Sequence, residues 1–323
     1  MKKSTFIFNL LATTAMATGA KAAVISGDGW SFDEETGLLK FEAAAANEYG
    51  LIDGCGGDLY NHDGFSSYDV QRIEFGEGVK MVSNFNNDYS YSNIESVSFP
   101  SSLETVSSGA FQGTSLSEVT FQNGTSDLEI GTSAFLFTYT LTSLELPDNI
   151  KKIGADAFWQ SGVTSLTIPD NVEIEDNAFT SSGVTTVVLG YNTTFDQYSP
   201  FDTMTYDYDG QYIQTTVYCP DEACKNGLQD IGYKGIIADY TKDSDGVYTS
   251  GGIMYASAED MLQGSEKSCG THDECVALIA SLGGGTGGTS EQAVPKRIYT
   301  VEEARQAVEA AGTDTVNFRI RYK

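Results

Sequence analysis

A short apolar motif recurs between residues 70 and 190 and constrains the fold more than any other feature of the chain. Each copy reads apolar, variable, apolar, and successive copies are separated by 24, 22, 25, 22 and 21 residues. The copies end at Phe75, Phe99, Phe121, Leu146, Ile168 and Leu189. This alternation is typical of a β-strand with one buried side. A unit of this length cannot enclose a core alone, so the period predicts a stack of repeats.

A second anchor shares the same period. An Ala-Phe pair recurs with spacings of 24, 23 and 21 residues, ending at Phe111, Phe135, Phe158 and Phe179. Alanine lets neighbouring backbones approach, and phenylalanine supplies volume. In three copies a proline follows the strand motif, at Pro100, Pro147 and Pro169, and proline ends a ladder because it has no N–H to donate. We therefore expect the four rings to lie in one file inside the stack.

The repeats resemble a known family over about residues 70 to 190. Residues 141–179 read LTSLELPDNIKKIGADAFWQSGVTSLTIPDNVEIEDNAF, which is similar to the BspA-type leucine-rich repeat, with its apolar-Pro strand end and its Ile-Gly-x-x-Ala-Phe segment. The cysteine that often follows the phenylalanine in this family is absent. The resemblance implies a β-rich leucine-rich-repeat solenoid, right-handed and curved. It also implies a parallel sheet on one face, turns and short helical turns on the other, and caps at both ends.

The flanking segments predict the domain organisation. Lys2 and Lys3, an apolar stretch and the Ala20-Lys21-Ala22 cleavage signal indicate a secretory signal peptide. An N-terminal cap with two strands around an acidic turn is expected before the repeats, and a strand, a helix and Tyr233 are expected to close the stack. The predicted segments are the signal peptide at 1–22, the N-terminal cap at 23–69, the solenoid with its C-terminal cap at 70–240, an irregular tail with a strand pair and a short helix at 241–282, a Gly-rich linker at 283–294 and a small basic helix-strand module at 295–323.

Export to an oxidising space makes the cysteines disulfide candidates. The simplest pairing joins Cys219 to Cys224 and Cys269 to Cys275, which leaves Cys55 over. A metal site built from Cys269, His272 and Cys275 is the alternative, and it lacks a fourth ligand nearby. Two acidic segments, 207–210 and 243–246, resemble the end of a calcium loop without its closing glutamate, and we interpret them as turns. We expect no metal, no cofactor and no transmembrane helix after the signal peptide, and a secreted or cell-surface location.

Charge and motif content exclude several functions. The formal net charge of −27 argues against binding to nucleic acid or anionic lipid. The chain has only two histidines, and no nucleophile elbow, HExxH or P-loop is present. We therefore expect no enzyme. The basic C-terminal module is interpreted either as a sorting or anchoring signal or as a flexible tail that folds back on the acidic body.

The outward positions of successive strands form the candidate ligand-binding face. These positions carry small hydroxyls and scattered carboxylates, at Glu74, Ser98, Glu118, Thr120, Ser143, Glu145, Ser165 and Thr167, and the last strand adds Val188. Solenoids bind along such faces, although the row could also simply be solvated. The resemblance implies an exported, noncatalytic, adhesin-like protein that recognises a protein or glycan of a host or neighbouring cell. The alternatives are a self-associating structural component of the envelope and a glycan-degrading enzyme. For the enzyme, no sequence pattern singles out two carboxylates as a catalytic pair.

Overall fold

The computed structural model describes residues 24–54, 59, 62, 65–86, 91–202, 214–264 and 267–281. All of them belong to one compact unit. The signal peptide, Cys55, the acidic segment 207–210, the linker and the basic C-terminal module lie outside the described residues. The domain boundaries given above remain predictions.

The apolar motif forms the parallel strands of a front face, as its alternation predicts. One sheet, the N-terminal front sheet, has the order β1-β2-β3-β5-β7-β9, and the C-terminal front sheet has the order β12-β14-β16-β17. Their bounds are β1 Val24–Gly27, β2 Trp30–Asp33, β3 Leu38–Phe41, β5 Arg72–Phe75, β7 Ser96–Phe99, β9 Glu118–Phe121, β12 Ser165–Ile168, β14 Thr186–Leu189, β16 Thr216–Cys219 and β17 Ile236–Asp239. In both sheets the repeat strands pair in parallel without a shift of register.

A second parallel sheet, the back sheet, accompanies the turns on the other face. Its strands have two to four residues: β4 Leu51–Asp53, β6 Met81–Ser83, β8 Thr105–Val106, β10 Leu128–Ile130, β11 Ile150–Ile153, β13 Glu173–Ile174 and β15 Thr194–Phe195. In six of the seven strands one fully buried residue aligns across the sheet, at Ile52, Val82, Val106, Ile130, Ile153 and Ile174. The resemblance to the family implies only turns and short helical turns here, and strands this short give little alternation in the sequence.

The predicted file of phenylalanines is confirmed. Phe111, Phe135, Phe158 and Phe179 are fully buried, and neighbouring rings stack with centroids 5.5, 5.1 and 5.0 Å apart. Phe85 and Phe201 extend the file at its two ends. Glycine is needed where the coils meet, because a Cβ on Gly154 would lie 2.6 Å from the backbone nitrogen of Thr132.

One predicted strand is wrong. Residues 144–146 form no strand, although Leu144 is buried among the core side chains. This coil ends the longest repeat, and side-chain hydrogen bonds hold the turn after it: Asn149 Nδ2 donates to the Ser126 carbonyl, and the Asp148 amide donates to Asn123 Oδ1. Those bonds anchor the turn to the preceding loop rather than to a ladder. The front face is therefore divided between β9 and β12.

Both ends of the stack are capped. β2 and β3 form the expected antiparallel hairpin, and β3 then pairs in parallel with β5. At the other end the expected helix is α1, Glu222–Asp230, and its N-cap Asp221 accepts a hydrogen bond from the Cys224 amide through Oδ1 at 2.9 Å. A disulfide joins Cys219 to Cys224. Short 3₁₀ turns lie at Ala43–Ala45 and Ser67–Asp69.

The tail is more regular than the sequence predicts. Its described residues form three antiparallel strands, β18 Thr241–Lys242, β19 Tyr248–Ser250 and β20 Ile253–Tyr255, with two helices, α2 Ala258–Gln263 and α3 His272–Ser281. We call this part the terminal module. A second disulfide joins Cys269 to Cys275. Tyr240, at the start of the module, donates a hydrogen bond through its hydroxyl to the Leu189 carbonyl at 2.8 Å, which ties the module to β14.

Candidate binding face and cleft

The open part of the front face lies over β5, β7 and β9. Pairing aligns Arg72 with Ser96 and Glu118 in one row. A second row contains Glu74, Ser98 and Thr120. Glu74, Glu118 and Thr120 are exposed, and the serines are half-buried. The strands therefore present carboxylates and hydroxyls at fixed spacing, because side chains on one side of neighbouring strands stand in register.

A shallow depression of about 230 Å³ lies between these two rows. Polar side chains from three strands line it. On its N-terminal side Lys40 Nζ lies 2.6 Å from Glu74 Oε2, with both side chains about half exposed, so this ion pair contributes little to stability. The depression offers acceptors and hydroxyl donors to a polar partner.

Ser143 and Glu145 lie on the coil that replaces the predicted strand. Both side chains are exposed. They continue the polar face beyond β9, although without a ladder to fix their register.

The face does not stay open over the C-terminal front sheet. Helix α2 packs against β12 and β14, and Val188 is only 1% exposed because Tyr255, Met261 and their neighbours cover it. The expectation that Val188 points into solvent is therefore wrong. Ser165 and Thr167 are half-buried. The Thr167 hydroxyl is buried and has no hydrogen-bond partner among the described residues.

A cleft of about 550 Å³ opens where the front face meets the terminal module. Its volume is within the range of ligand sites. The residues that line it are Leu144, Glu145, Leu146, Asp148, Lys151, Thr167, Ile168, Pro169, Asp170, Asn171, Val188, Leu189, Gly190, Tyr191, Tyr240, Lys242, Tyr248, Ser257, Ala258 and Glu259. Thr167 is one of these lining residues, although its hydroxyl is buried. The break in the front face and the cleft share residues 144–146.

The cleft combines aromatic rings with both signs of charge. Tyr240 and Tyr248 stack with centroids 5.5 Å apart, and Lys242 Nζ lies 5.0 Å from the Tyr248 ring centroid. Burial raises the pKa of the Tyr240 phenol well above its usual range, so this hydroxyl stays a hydrogen-bond donor. Lys151 forms no ion pair within the described part of the chain. Carboxylates come from Glu145, Asp148, Asp170 and Glu259. Such a lining can both donate to and accept from a polar ligand.

The sequence gives no sign of this cleft. Its lining residues come from segments that are far apart in the sequence. Leu189 and Tyr240, for example, are joined by a hydrogen bond but lie 51 positions apart. Tyr240 and Tyr248 follow the last repeat and belong to no periodic pattern. A high tyrosine content, 18 residues in all, is the only signal that could have drawn attention to them.

The metal site considered at Cys269, His272 and Cys275 is wrong, because the two thiols are joined in a disulfide. The segment 243–246 forms a turn, as interpreted. Asp243 Oδ1 accepts hydrogen bonds from the amides of Asp245 and Val247, each at 2.9 Å. In the parts of the chain that the structure describes, no helix is both long enough and apolar enough to span a membrane.

Comparison with known families identifies the repeats. Residues 61–205 match the model of the BspA type leucine rich repeat region in six copies. This repeat region therefore belongs to the BspA-type leucine-rich repeat family. No curated protein matches the chain.

Two solved structures are similar to parts of the chain. One is a leucine-rich cell surface protein from Faecalibacterium prausnitzii, 16% identical over 71% of this chain, with a TM-score of 0.38. This chain spans 61% of that protein. The other is the pneumococcal vaccine antigen PcpA, 12% identical over 68% of this chain and 99% of its own, with a TM-score of 0.23. Similarity at this level carries no information on what the chain binds.

Proposed function

We propose that the chain is a noncatalytic, adhesin-like binding protein of the cell exterior. It holds a protein or glycan of a host or neighbouring cell on the open front face, at Glu74, Ser98, Glu118, Thr120, Ser143 and Glu145. The observation that carries this proposal is the in-register array of carboxylates and hydroxyls over β5, β7 and β9, which stays open while the terminal module covers the C-terminal front sheet.

Three further features support the proposal. Disulfides are typical of exported proteins, and the structure contains two. The repeats match the BspA type leucine rich repeat region, and this resemblance implies a surface protein. A net charge of −27 favours a partner with basic or neutral groups over nucleic acid. A secreted or cell-surface location follows from the predicted signal peptide.

Ser165 and Thr167 have a different place in this proposal. Both are half-buried beside α2, so a large partner cannot reach them as it reaches Glu118. We assign Thr167 to the cleft, because it is one of the residues that line it. The cleft then acts as the end of the open face.

Binding of the purified chain to arrays of glycans and of extracellular-matrix proteins tests the proposal. We expect saturable binding to one class, and a loss of at least about tenfold in affinity for the double variant Glu118→Lys, Glu145→Lys, since reversing charge in a contact adds repulsion. The glycan and protein arms separate the two kinds of partner. Three outcomes contradict the proposal: no binding on either array, concentration-dependent self-association with no foreign ligand, and release of reducing sugar from a glycan.

A further inference from the structure

We propose that Asp243, Asp245 and His272 form a binding site for a divalent ion of the zinc type. This inference is independent of the proposed function. The three residues each offer one ligand atom, and these atoms all lie within 4.8 Å of one another. His272 Nε2 lies 2.7 Å from Asp243 Oδ2 and 3.8 Å from Asp245 Oδ2.

The spacing suits a small ion. Zinc lies about 2.0–2.2 Å from nitrogen and oxygen ligands, so ligand atoms in a tetrahedral site are roughly 3.3 Å apart. The two distances from His272 Nε2, 2.7 and 3.8 Å, lie on either side of that value. The Asp245 side chain is exposed, so its rotation can shorten the longer of the two distances. One imidazole with two carboxylates is a donor set that zinc and its neighbours accept, and water would complete the coordination.

The local structure orients the carboxylate of Asp243. Its Oδ1 is occupied by the amides of Asp245 and Val247, so Oδ2 is the oxygen left to face His272. Hydrogen bonds of this kind fix a ligand's direction before the ion arrives. The backbone of His272 is anchored, because His272 opens α3 and Cys275, one turn later, is fully buried in its disulfide with Cys269.

The charges also favour an ion over a simple pair. A protonated His272 would balance only one of the two carboxylates that converge on it. A divalent ion balances both. Asp273 and Glu274, in the first turn of α3, add further negative charge near the site, in a chain whose formal net charge is −27.

A bound ion would link the turn between β18 and β19 to α3. The same hairpin carries Lys242 and Tyr248, which line the cleft. An ion at this position would therefore stiffen one wall of the cleft. The sequence separates these ligands by 29 positions, and this explains why neither the Cys269–Cys275 segment nor the 243–246 turn predicts the site alone.

Titration of the metal-stripped chain with zinc chloride, followed by calorimetry, tests the proposal. We expect one ion per chain and a higher melting temperature with zinc, since an ion that binds only the folded chain stabilises it. His272→Ala and Asp245→Asn should each weaken binding by about tenfold or more. Asp273→Asn is the matched control, because it removes a charge beside His272 without removing a ligand. Asp245 is exposed, so its variant should fold.

The two histidines give a second readout. In a proton NMR spectrum, zinc should shift the imidazole signals of His272 and leave those of His62 unchanged. The proposal is overturned if zinc does not bind saturably, if His272→Ala binds as the parent chain does, or if Asp273→Asn loses as much affinity as Asp245→Asn. A shift confined to His62 also overturns it.

Discussion

Phe158 and Phe179 stack with their ring centroids 5.0 Å apart and their planes within 2° of parallel. Each ring comes from a different repeat, and neither has exposed surface. The same relationship continues through Phe135 and Phe111. Contacts between repeats therefore stabilise the stack, so the removal of one ring should weaken the packing of the neighbouring rings.

Phe158→Ala should lower the free energy of unfolding by about 3–5 kcal/mol, because it leaves a cavity in the middle of the file. Denaturant unfolding followed by circular dichroism measures this cost. Tyr198→Ala is the control, since Tyr198 is 63% exposed, and its cost should stay within about 0.5 kcal/mol. Equal costs for the two variants would show that the file does not support the stack.

Gly154→Ala should destabilise the chain by about 1–3 kcal/mol, because the added methyl group overpacks the contact between two coils. A Cβ at this position would meet the backbone of Thr132 and Gly131 at 2.6 and 2.7 Å. Backbone atoms cannot rotate away as a side chain can. The melting temperature measures the effect. An unchanged melting temperature would mean that the backbones of the two coils are not in close contact at Gly154.

Asp156→Asn should stabilise the chain at neutral pH. Burial, together with the nearby Asp176, raises the pKa of the Asp156 carboxyl above its usual 3.8. The folded state therefore binds this proton more readily than the unfolded chain does, and stability is lost as pH rises through the raised pKa. Asparagine removes the free-energy cost of the buried charge at this position. It also tolerates the left-handed backbone found here, with φ of 55°.

Melting temperatures measured from pH 3 to pH 7 check the sign of this effect. The advantage of Asp156→Asn should be full at pH 7 and should disappear below about pH 3.8, where both states carry the proton. Asp127→Asn is the control, because it makes the same substitution at an exposed position. An advantage that persists at low pH would contradict the assignment of the penalty to the Asp156 charge.

Met261→Asp should release the terminal module from the front face. Met261 is 3% exposed and packs with Val188 and Tyr255, and a buried unpaired carboxylate is strongly unfavourable. Limited proteolysis within residues 256–267 should become about tenfold faster or more. Glu259→Ala, on the exposed side of the same helix, should not change the rate. Resistance equal to the parent chain would mean that α2 does not depend on this contact.

Periodic residues are what the sequence predicts best. Phe111, Phe135, Phe158 and Phe179 each recur at one position of a repeat, so their burial follows from spacing alone. The open carboxylates, such as Glu118, follow from the same strand alternation. A resemblance to the family adds the solenoid, and the cysteine spacings add the two disulfides.

The parts that the sequence does not predict depend on contacts outside the period. Leu144 and Leu146 have the apolar spacing of a strand, yet their segment pairs with no neighbouring strand. Apolar spacing predicts which side chains are buried, but it does not predict which backbone groups form hydrogen bonds. Strand alternation predicts that Val188 faces solvent, but Tyr255, Met261 and their neighbours cover it. The cleft and the ion site both bring together residues from separate segments, and no local pattern encodes their approach.

The binding role of the front face is the central claim, and one pair of variants tests it most directly. Glu118→Lys and Glu129→Lys make the same charge change at exposed strand positions. Glu118 lies on β9 of the front face, and Glu129 lies on β10 of the back sheet. Affinity for the partner found on the arrays is measured for both by surface plasmon resonance. We expect Glu118→Lys to bind about tenfold or more weakly and Glu129→Lys to bind like the parent chain. Equal affinities for the two variants would contradict the claim that the front face holds the partner.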